Sequence, residues 1–336
     1  MNKIMFTILR VLDRYQEPLS SNELAKELLI YGVDLSERTL RYYLKILDEK
    51  GLTKIQGKRG RIITEKGREE LNHAFVSERV NFIISRIDSL AYLTDFNLDT
   101  LKGNVILNIS FFPQKKIKDA LRVMAGIFDS RYVISNRIKM ARGGERIGEV
   151  MVPEGFIGIG TVCSITINGI FLKAGIPITS RYGGVVETID GNLSRFTALI
   201  SYEGSSIDPL EIFIKSRMTD VLGAVKRSSG KILASFREIP VVCLAEGEAL
   251  IEKMASKGLK GNILIGKPNQ PLLGIPVGVD KVGMIIVGGL NPIAAVEEAG
   301  VYTDSMAMST LFEYSKLQTF NEAVSFFFFN KTYKSS

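Results

Sequence analysis

The sequence predicts a small N-terminal domain of three helices and a β-hairpin, followed by a larger α/β domain for which α+β is the alternative. Two observations lead to this division. Before residue 70, apolar residues recur three times at helical spacing, and two short strand patterns follow them. Between positions 105 and 312, strand-like and helix-like segments alternate, which is the order of an α/β or α+β domain.

Composition narrows the possible functions. The 336 residues include two cysteines, Cys163 and Cys243, and one histidine, His73. Such low numbers argue against disulfides, a cysteine-based metal site and histidine-dependent hydrolysis. Neither a Walker sequence nor a dinucleotide-binding glycine pattern occurs. We therefore expect a protein that is not an enzyme and that holds no metal and no cofactor.

Charge and hydropathy indicate the compartment and the kind of partner. The net charge of +7 favours a polyanionic partner. No basic start followed by an apolar signal core is seen, and Lys173, Pro177 or Pro292 interrupts the most apolar runs. We therefore expect a cytoplasmic protein with no membrane partner.

Capping residues mark the helices of the first domain. The first helix follows from apolar spacing over residues 4–12. Ser20 and Glu23 form a capping box at the start of the second helix. Ser36 caps the third helix, which stops at Gly51.

The third helix displays polar side chains on the side opposite its leucines. Residues 52–67 then predict two short strands around a basic tip, and residues 50–68 carry seven basic side chains against one acidic. Three helices and a hairpin make a winged helix-turn-helix domain, whose third helix enters the major groove while the hairpin, or wing, touches phosphates. The predicted DNA contacts are Arg38, Thr39, Arg41, Tyr42 and Lys45 in the helix, and Lys58, Arg59 and Arg61 in the wing. A winged helix used only for protein contacts is the alternative.

Four segments follow from these patterns. Residues 1–74 form the DNA-binding domain, and residues 75–104 form a connector helix with a hinge. The connector packs on its own domain or makes a dimer contact, and both alternatives stay open. Residues 105–312 form the second domain, whose assignment as the effector-sensing and dimerisation domain comes from a family resemblance and not from these patterns, and residues 313–336 form a C-terminal tail.

The second domain begins with a strand, a helix and another strand. The strand covers residues 105–112, and Pro113 opens the helix. The next strand covers residues 132–141. Strands and helices continue to alternate after it.

Glycine-containing turns in the second domain suit an anion. Residues 168–169 and 288–289 are predicted turns where a strand passes into a helix, which aims backbone amides at one spot. Residues 174–178 form an apolar strand-like run, and residues 179–184 place two hydroxyls, a guanidinium and two glycines after it. This composition predicts an anion site.

Four ordered stretches resemble the regulatory domain of the archaeal nitrogen-repressor family, NrpR: "GTVCSITINGIFLKAGIPITSRYGGVVE", "ISYEGSSIDPLEIFI", "GKILASFREIP" and "VGGLNPIAAVEEAG". An N-terminal winged helix is the family's arrangement, so the resemblance covers essentially the whole chain. It implies a repressor of nitrogen-assimilation genes that binds inverted-repeat operators in double-stranded DNA as a dimer. The chain has one regulatory domain where longer members have two in tandem. Whether it acts alone or with a separately encoded regulatory-domain protein therefore stays open.

The resemblance also implies that 2-oxoglutarate is the anion and that it releases the DNA as an allosteric effector. Arg181 matches one carboxylate, and Arg237 is the second candidate. The alternatives are that Arg181 pairs with Glu187 or Glu203, Arg237 pairs with Glu238, and Cys163 is a small core residue. The predicted effector contacts are Cys163, Thr179, Ser180, Arg181, Gly183, Gly184, Ser235, Arg237, Gly288, Gly289 and Asn291.

Two other functions fit the sequence less well. A regulator that responds to another small metabolite would use the same domains. A small-molecule enzyme fused to a DNA-binding domain would need an acid–base pair that the sequence lacks. In either regulator, two-fold symmetric operators predict a homodimer or a dimer of dimers.

Overall fold

A computed structural model describes residues 3–15, 17–73, 81–259, 261 and 263–329. The chain divides into two units, Met1–Val80 and Asn81–Ser336. In the described parts of the chain, no helix is both long and apolar enough to cross a membrane.

The first unit has the predicted order of elements. It contains helices α1 (Lys3–Tyr15), α2 (Ser21–Ile30) and α3 (Glu37–Glu49), strands β1 (Thr53–Ile55) and β2 (Arg61–Ile63), and helix α4 (Glu65–His73). The apolar side of α3 packs against α2 in a core that also contains α1 residues, and its buried leucines are Leu40, Leu44 and Leu47. This arrangement confirms a winged helix.

Local capping explains why these helices begin where they do. The Ser20 hydroxyl accepts from the Glu23 amide at 3.3 Å, and the Glu23 carboxylate accepts from the Ser20 amide at 2.8 Å. The Ser36 hydroxyl accepts from the Thr39 amide at 3.2 Å. Both predicted caps are thus confirmed, and each satisfies amides that have no partner within the helix.

The wing depends on one glycine. Strands β1 and β2 pair antiparallel, and Gly60 precedes β2 with φ of 122°. A Cβ added at Gly60 would lie 2.2 Å from the carbonyl oxygen of Leu19. Only glycine therefore fits where the wing passes this backbone.

The second unit contains twenty α-helices and β-strands within its described ranges. They are α5 (Phe82–Leu93), β3 (Asn104–Pro113), α6 (Ile117–Phe128), β4 (Arg137–Arg142), β5 (Arg146–Ile147), β6 (Val150–Met151), β7 (Phe156–Val162), α7 (Ile165–Lys173), β8 (Thr179–Ile189), β9 (Asn192–Ser201), α8 (Pro209–Lys215), α9 (Val221–Arg227), β10 (Gly230–Pro240), α10 (Leu244–Ser256), β11 (Ile263–Ile265), β12 (Lys281–Val287), α11 (Asn291–Glu298), β13 (Asp304–Glu313), β14 (Gln318–Thr319) and α12 (Phe320–Phe329).

Two five-stranded sheets organise this unit. Their strand orders are β13-β3-β7-β4-β14 and β11-β12-β10-β8-β9, and every pairing within them is antiparallel. Helix α6 packs on β3, α9 packs on β10, and both helices contact α11, which joins the two sheets through one core. Of the two classes that the sequence allowed, the antiparallel pairing is that of an α+β domain.

The segment after residue 312 is built into this unit. Helix α12 packs on β4 and α6, and the ring of Phe320 stacks on Phe128 with centroids 4.6 Å apart. Phe327 is buried in the same core. The C-terminal tail predicted from the sequence therefore contributes to packing as far as Phe328.

Several local predictions are wrong. Residues 174–178 are not a strand, since Gly175 ends α7 with φ of 80° and β8 begins only at Thr179. Residues 183–184 consequently lie inside a strand. Residues 168–169 lie inside α7 and form no turn, because the helix starts at Ile165.

Two element boundaries also differ from the prediction. Pro113 ends β3, and α6 starts four residues later, at Ile117. The strand predicted over residues 132–141 begins at Arg137. The turn at residues 288–289 is confirmed between β12 and α11. Residues 75–80 of the predicted connector lie outside the described residues, and α5 covers its later part.

Candidate functional site

Helix α3 exposes the side chains predicted to read DNA. Arg38, Arg41, Tyr42 and Lys45 are all exposed, and the Tyr42 side chain is 61% accessible. Arg41 pairs with Glu37 at 2.5 Å on the surface. Exposed pairs of this kind contribute about 0–1 kcal/mol, so a phosphate or base edge can replace the carboxylate.

The wing residues have different surroundings. Arg59 is exposed, whereas Arg61 is only 21% exposed and its Nε donates to Asp48 at 2.9 Å. The Thr53 hydroxyl donates to the same carboxylate at 2.5 Å. Arg61 therefore fastens the wing to α3. The side chain of Lys58 lies outside the described residues.

Thr39, the remaining predicted contact in α3, is half-buried. Its hydroxyl lies 2.8 Å from the Ser36 hydroxyl, within the N-terminal cap. Thr39 thus supports the start of the helix that carries the exposed side chains.

A small pocket lies in the second unit where β7, β9, the β12–α11 turn and β13 meet. Its polar groups include the thiol of Cys163, the ring hydroxyl of Tyr202 and the carboxyl of Asp208. The lining residues are Asn108, Cys163, Ser164, Ile165, Tyr202, Asp208, Leu210, Gly289, Leu290, Ala307 and Met308.

Arg237 is buried beside this pocket with 0% exposure. Its Nη1 donates to the Ser164 carbonyl at 3.0 Å and to the Asn168 side chain, and its Nη2 donates to the Ser164 hydroxyl at 2.9 Å and the Ser235 hydroxyl at 3.1 Å. Among the described residues no carboxylate bonds to it, and its buried Nε has no hydrogen-bond partner. Burial lowers the pKa of Arg237 to about 10. The guanidinium is thus a buried cation without a protein counter-ion among the described residues.

Several predicted effector residues lie at the pocket or around Arg237. The Ser180 hydroxyl accepts from Asn168 Nδ2 at 3.0 Å, which links it to the guanidinium. A Cβ at Gly183 would lie 3.1 Å from the Tyr202 hydroxyl, and one at Gly289 would lie 2.3 Å from the Val162 carbonyl oxygen. The structure thereby groups Cys163, Ser180, Gly183, Ser235, Arg237 and Gly289.

Arg181 lies apart from this group. Its side chain is 43% exposed, and its Nε is 3.6 Å from the buried carboxylate of Glu238. Successive strand residues point to opposite faces, so Arg181 and Ser180 diverge. Thr179 is exposed next to them. The alternative pairings predicted for both arginines are wrong, because Glu238 pairs with Arg181 and Glu187 pairs with Arg195 at 2.8 Å.

Three predicted residues have structural contacts. The Asn291 side-chain Oδ1 accepts from the Leu233 amide at 2.8 Å, and its Nδ2 donates to the backbone carbonyls of Tyr132, Leu233 and Gly288, each at 3.1 Å. Asn291 therefore holds the β12–α11 turn, including Gly288, against β10. A Cβ at Gly184 would lie 2.7 Å from the Ala198 carbonyl oxygen, so this position serves close strand packing.

Sequence reasoning missed Ser164, Asn168 and Tyr202, and it treated Asp208 only as a helix cap. Asp208 does cap α8, since its Oδ1 accepts from the Leu210 amide at 2.8 Å, but it also lines the pocket. Burial raises the pKa of Asp208 to about 6 and that of Cys163 to about 12. Burial also raises the pKa of Tyr202. The pocket therefore combines a neutral thiol and hydroxyl with one titratable carboxyl.

Comparison with known proteins agrees with both units. The family described as NrpR regulatory domains NRD1 and 2 matches residues 80–319, and the ribonuclease R winged-helix domain matches residues 6–71. A crystal structure of a nitrogen repressor-like protein from Methanococcus jannaschii superposes with a TM-score of 0.58 at 27% identity. It covers 72% of this chain, and 98% of that chain is matched.

Relatives of established name extend the match to nearly the whole chain. The global nitrogen regulator NrpRI of Methanosarcina mazei is 38% identical, over 94% of this chain and 97% of the relative. The global nitrogen regulator NrpR of Methanococcus maripaludis is 32% identical over 93% of this chain, which spans about half of that relative's length, 54%. The chain therefore belongs to the NrpR family of nitrogen regulators, which are transcriptional regulators and not enzymes.

Proposed function

We propose that this chain is a DNA-binding repressor of nitrogen-assimilation genes that leaves its operator when 2-oxoglutarate binds the second unit. The observation that carries the proposal is the buried Arg237 guanidinium, which has no carboxylate partner among the described residues and lies beside a pocket. A buried charge is costly unless it is paired. A carboxylate of the ligand would supply the missing counter-ion, which requires the pocket to widen from its volume of about 10 Å³.

The surrounding groups support an anionic ligand. Ser164 both lines the pocket and accepts two hydrogen bonds from Arg237, which connects the pocket wall to the cation. Cys163 and Tyr202 add a thiol and a hydroxyl. We place one carboxylate at Arg237 and not at Arg181, because Arg181 is half-exposed and already paired with Glu238.

The winged helix supports the DNA-binding part of the proposal. Its third helix exposes two arginines, a tyrosine and a lysine on one side. One such helix makes few base contacts, and two-fold symmetric proteins match inverted repeats. The active form is therefore a homodimer or a dimer of dimers, alone or with a second regulatory-domain protein.

Release of DNA requires that 2-oxoglutarate binds the DNA-free arrangement better than the DNA-bound one. Reciprocity then requires operator DNA to weaken 2-oxoglutarate binding by the same factor, typically about 5 to 150. This reciprocal weakening distinguishes an allosteric effector from a ligand that binds without affecting DNA binding.

The test is fluorescence anisotropy of a labelled operator, selected from a random DNA library with the full chain. Titration with 2-oxoglutarate should release the DNA, whereas succinate and glutamate at equal concentration should not. Operator binding that persists at millimolar 2-oxoglutarate contradicts the proposal. Release by a different metabolite in the same titration would assign the site to that effector, and turnover of a 2-oxo acid would favour an enzyme.

A further inference from the structure

One wall of the pocket is a strained bulge in β13. Met306 pairs with Ile109 of β3 and Thr310 pairs with Leu107, so residues 307–309 face the single residue between them. Met308 lies at the centre with φ of 52° and 1% exposure. A non-glycine residue in this conformation is strained and persists only where its surroundings hold it.

Three side chains hold the bulge, each from a different element. The Asn108 side chain of β3 accepts from the Met308 amide at 3.0 Å, and Glu211 of α8 accepts from the Ala307 amide. Arg86 of α5 donates to the Met308 carbonyl twice, from Nη2 at 2.7 Å and from Nε at 3.0 Å. The bulge is therefore fixed from all three elements, and Ala307 and Met308 also line the pocket.

Helix α5 shares its apolar side with the pocket. Ile83, Ile87 and Ala91 are buried in one cluster with four pocket-lining residues, Cys163, Ile165, Tyr202 and Met308. The start of α5 is tied to the loop after β9, where Asn81 accepts from the Gly204 amide at 2.7 Å. The pocket wall therefore contacts α5 through this apolar cluster as well as through Arg86.

Along the sequence, α5 is the first element of the second unit, and residues 74–80 separate it from the last described residue of the winged helix. Helix α5, which bonds to the pocket wall through Arg86, is thus also the element that follows the DNA-binding unit along the chain. Among the hydrogen bonds described for α5, those to the backbone of the bulge all come from the side chain of Arg86.

We propose that Arg86 is the positioning residue that transmits occupancy of the pocket to helix α5, an inference that rests on the proposed function. A ligand that contacts Ala307 and Met308 favours one arrangement of the bulge, and the two bonds from Arg86 convert that preference into a preferred position of α5. The ligand shifts the equilibrium because its contacts differ between the two arrangements of the wall. Arg86 is not among the residues that line the pocket.

The experiment compares Arg86→Gln with Ser89→Ala in the full chain. Ser89 is the matched control, because it is exposed on the same helix and, within the described part of the chain, its hydroxyl bonds to the Ser85 carbonyl alone, at 2.8 Å. Calorimetry measures 2-oxoglutarate binding, and anisotropy measures operator binding with and without saturating 2-oxoglutarate. Arg86→Gln should bind operator within about threefold of wild type, while the factor by which saturating 2-oxoglutarate weakens operator binding falls from about 5–150 towards 1. Ser89→Ala should retain the wild-type factor.

Release of DNA by Arg86→Gln with the wild-type factor overturns this inference and leaves the proposed function intact. A wild-type protein that binds operator but ignores 2-oxoglutarate overturns both. Hydrogen exchange of the wild-type protein tests the same inference without a variant, so the result does not depend on whether Arg86→Gln folds correctly. Peptides covering residues 82–93 and 304–310 should change protection together when 2-oxoglutarate binds. A change in residues 304–310 with none in residues 82–93 would also reject the role of Arg86.

Discussion

The guanidinium of Arg237 bonds to both oxygens of Ser164, to the carbonyl at 3.0 Å and to the hydroxyl at 2.9 Å. Strand β10 thereby holds a cation at the residue that precedes α7, next to the pocket that Ser164 lines. The proposed anion site depends on this pair of residues.

Arg237→Gln should leave operator binding unchanged and raise the 2-oxoglutarate concentration needed for release by about 10- to 100-fold. The reason is the loss of a charge-assisted hydrogen bond, worth about 1.5–3 kcal/mol. Anisotropy titrations measure the shift, and circular dichroism checks the fold. Arg181→Ala is the comparison and should shift the titration less, because Arg181 is half-exposed. A larger effect of Arg181→Ala would move the carboxylate site to that residue.

Arg41→Ala should cost about 1–3 kcal/mol on the selected operator and less on random DNA, because arginine matches guanine edges in the major groove. Competition binding against both DNAs measures the difference. Equal losses on the two DNAs would show that Arg41 contacts only the backbone.

Arg59→Ala should weaken operator and random DNA alike and reduce the slope of log K against log salt by about one, since it removes one phosphate contact. Binding at four salt concentrations gives the slope. An unchanged slope for Arg59→Ala would place the wing away from the phosphates.

Arg61→Ala should instead lower the thermal stability of the winged helix, because Arg61 is bonded to Asp48.

The full chain should sediment as a dimer or a higher even assembly at micromolar concentration. Two winged helices are needed to read two half-sites of an inverted repeat. Light scattering and sedimentation equilibrium measure the mass, and the mass of one chain would contradict the expectation.

The free energy of unfolding should fall as pH rises from about 4 to about 7. Burial raises the pKa of Asp208 to about 6 and that of Glu211 to about 7, so folding favours their protonated forms. This stabilising contribution is complete below the pKa values of the unfolded chain and is lost as pH rises through the folded values. Thermal unfolding at several pH values tests it. Asp208→Asn should flatten the profile, and an equally steep profile in that variant would assign the dependence to other groups.

The winged helix was predictable because its signals are local. Its signals are a capping serine, the leucine stripe of α3 and the basic hairpin. Each of them determines structure only a few positions away in the sequence, and the structure confirms these elements. The class of the second unit was less accessible. Antiparallel pairing of β8 with β10 joins residues about fifty positions apart, which hydrophobic spacing does not report.

The candidate site shows the same limit. Arg181 and Arg237 look equivalent in the sequence, but they occupy opposite sides of neighbouring strands. The register between β8 and β10 shifts between Phe236 and Arg237, and no residue type in the sequence predicts such a bulge. Tyr202 reaches the pocket through the fold alone, whereas Asn168 was visible in the sequence but was assigned to a turn.

The packing of α12 sets a boundary for protein production. Because Phe320 stacks on Phe128 and Phe327 enters the same core, a recombinant fragment cut at residue 312 leaves a bare aromatic surface on α6. Such a fragment would self-associate and give a false reading of assembly in solution. A fragment of the regulatory unit that begins at residue 81 should therefore extend through residue 329.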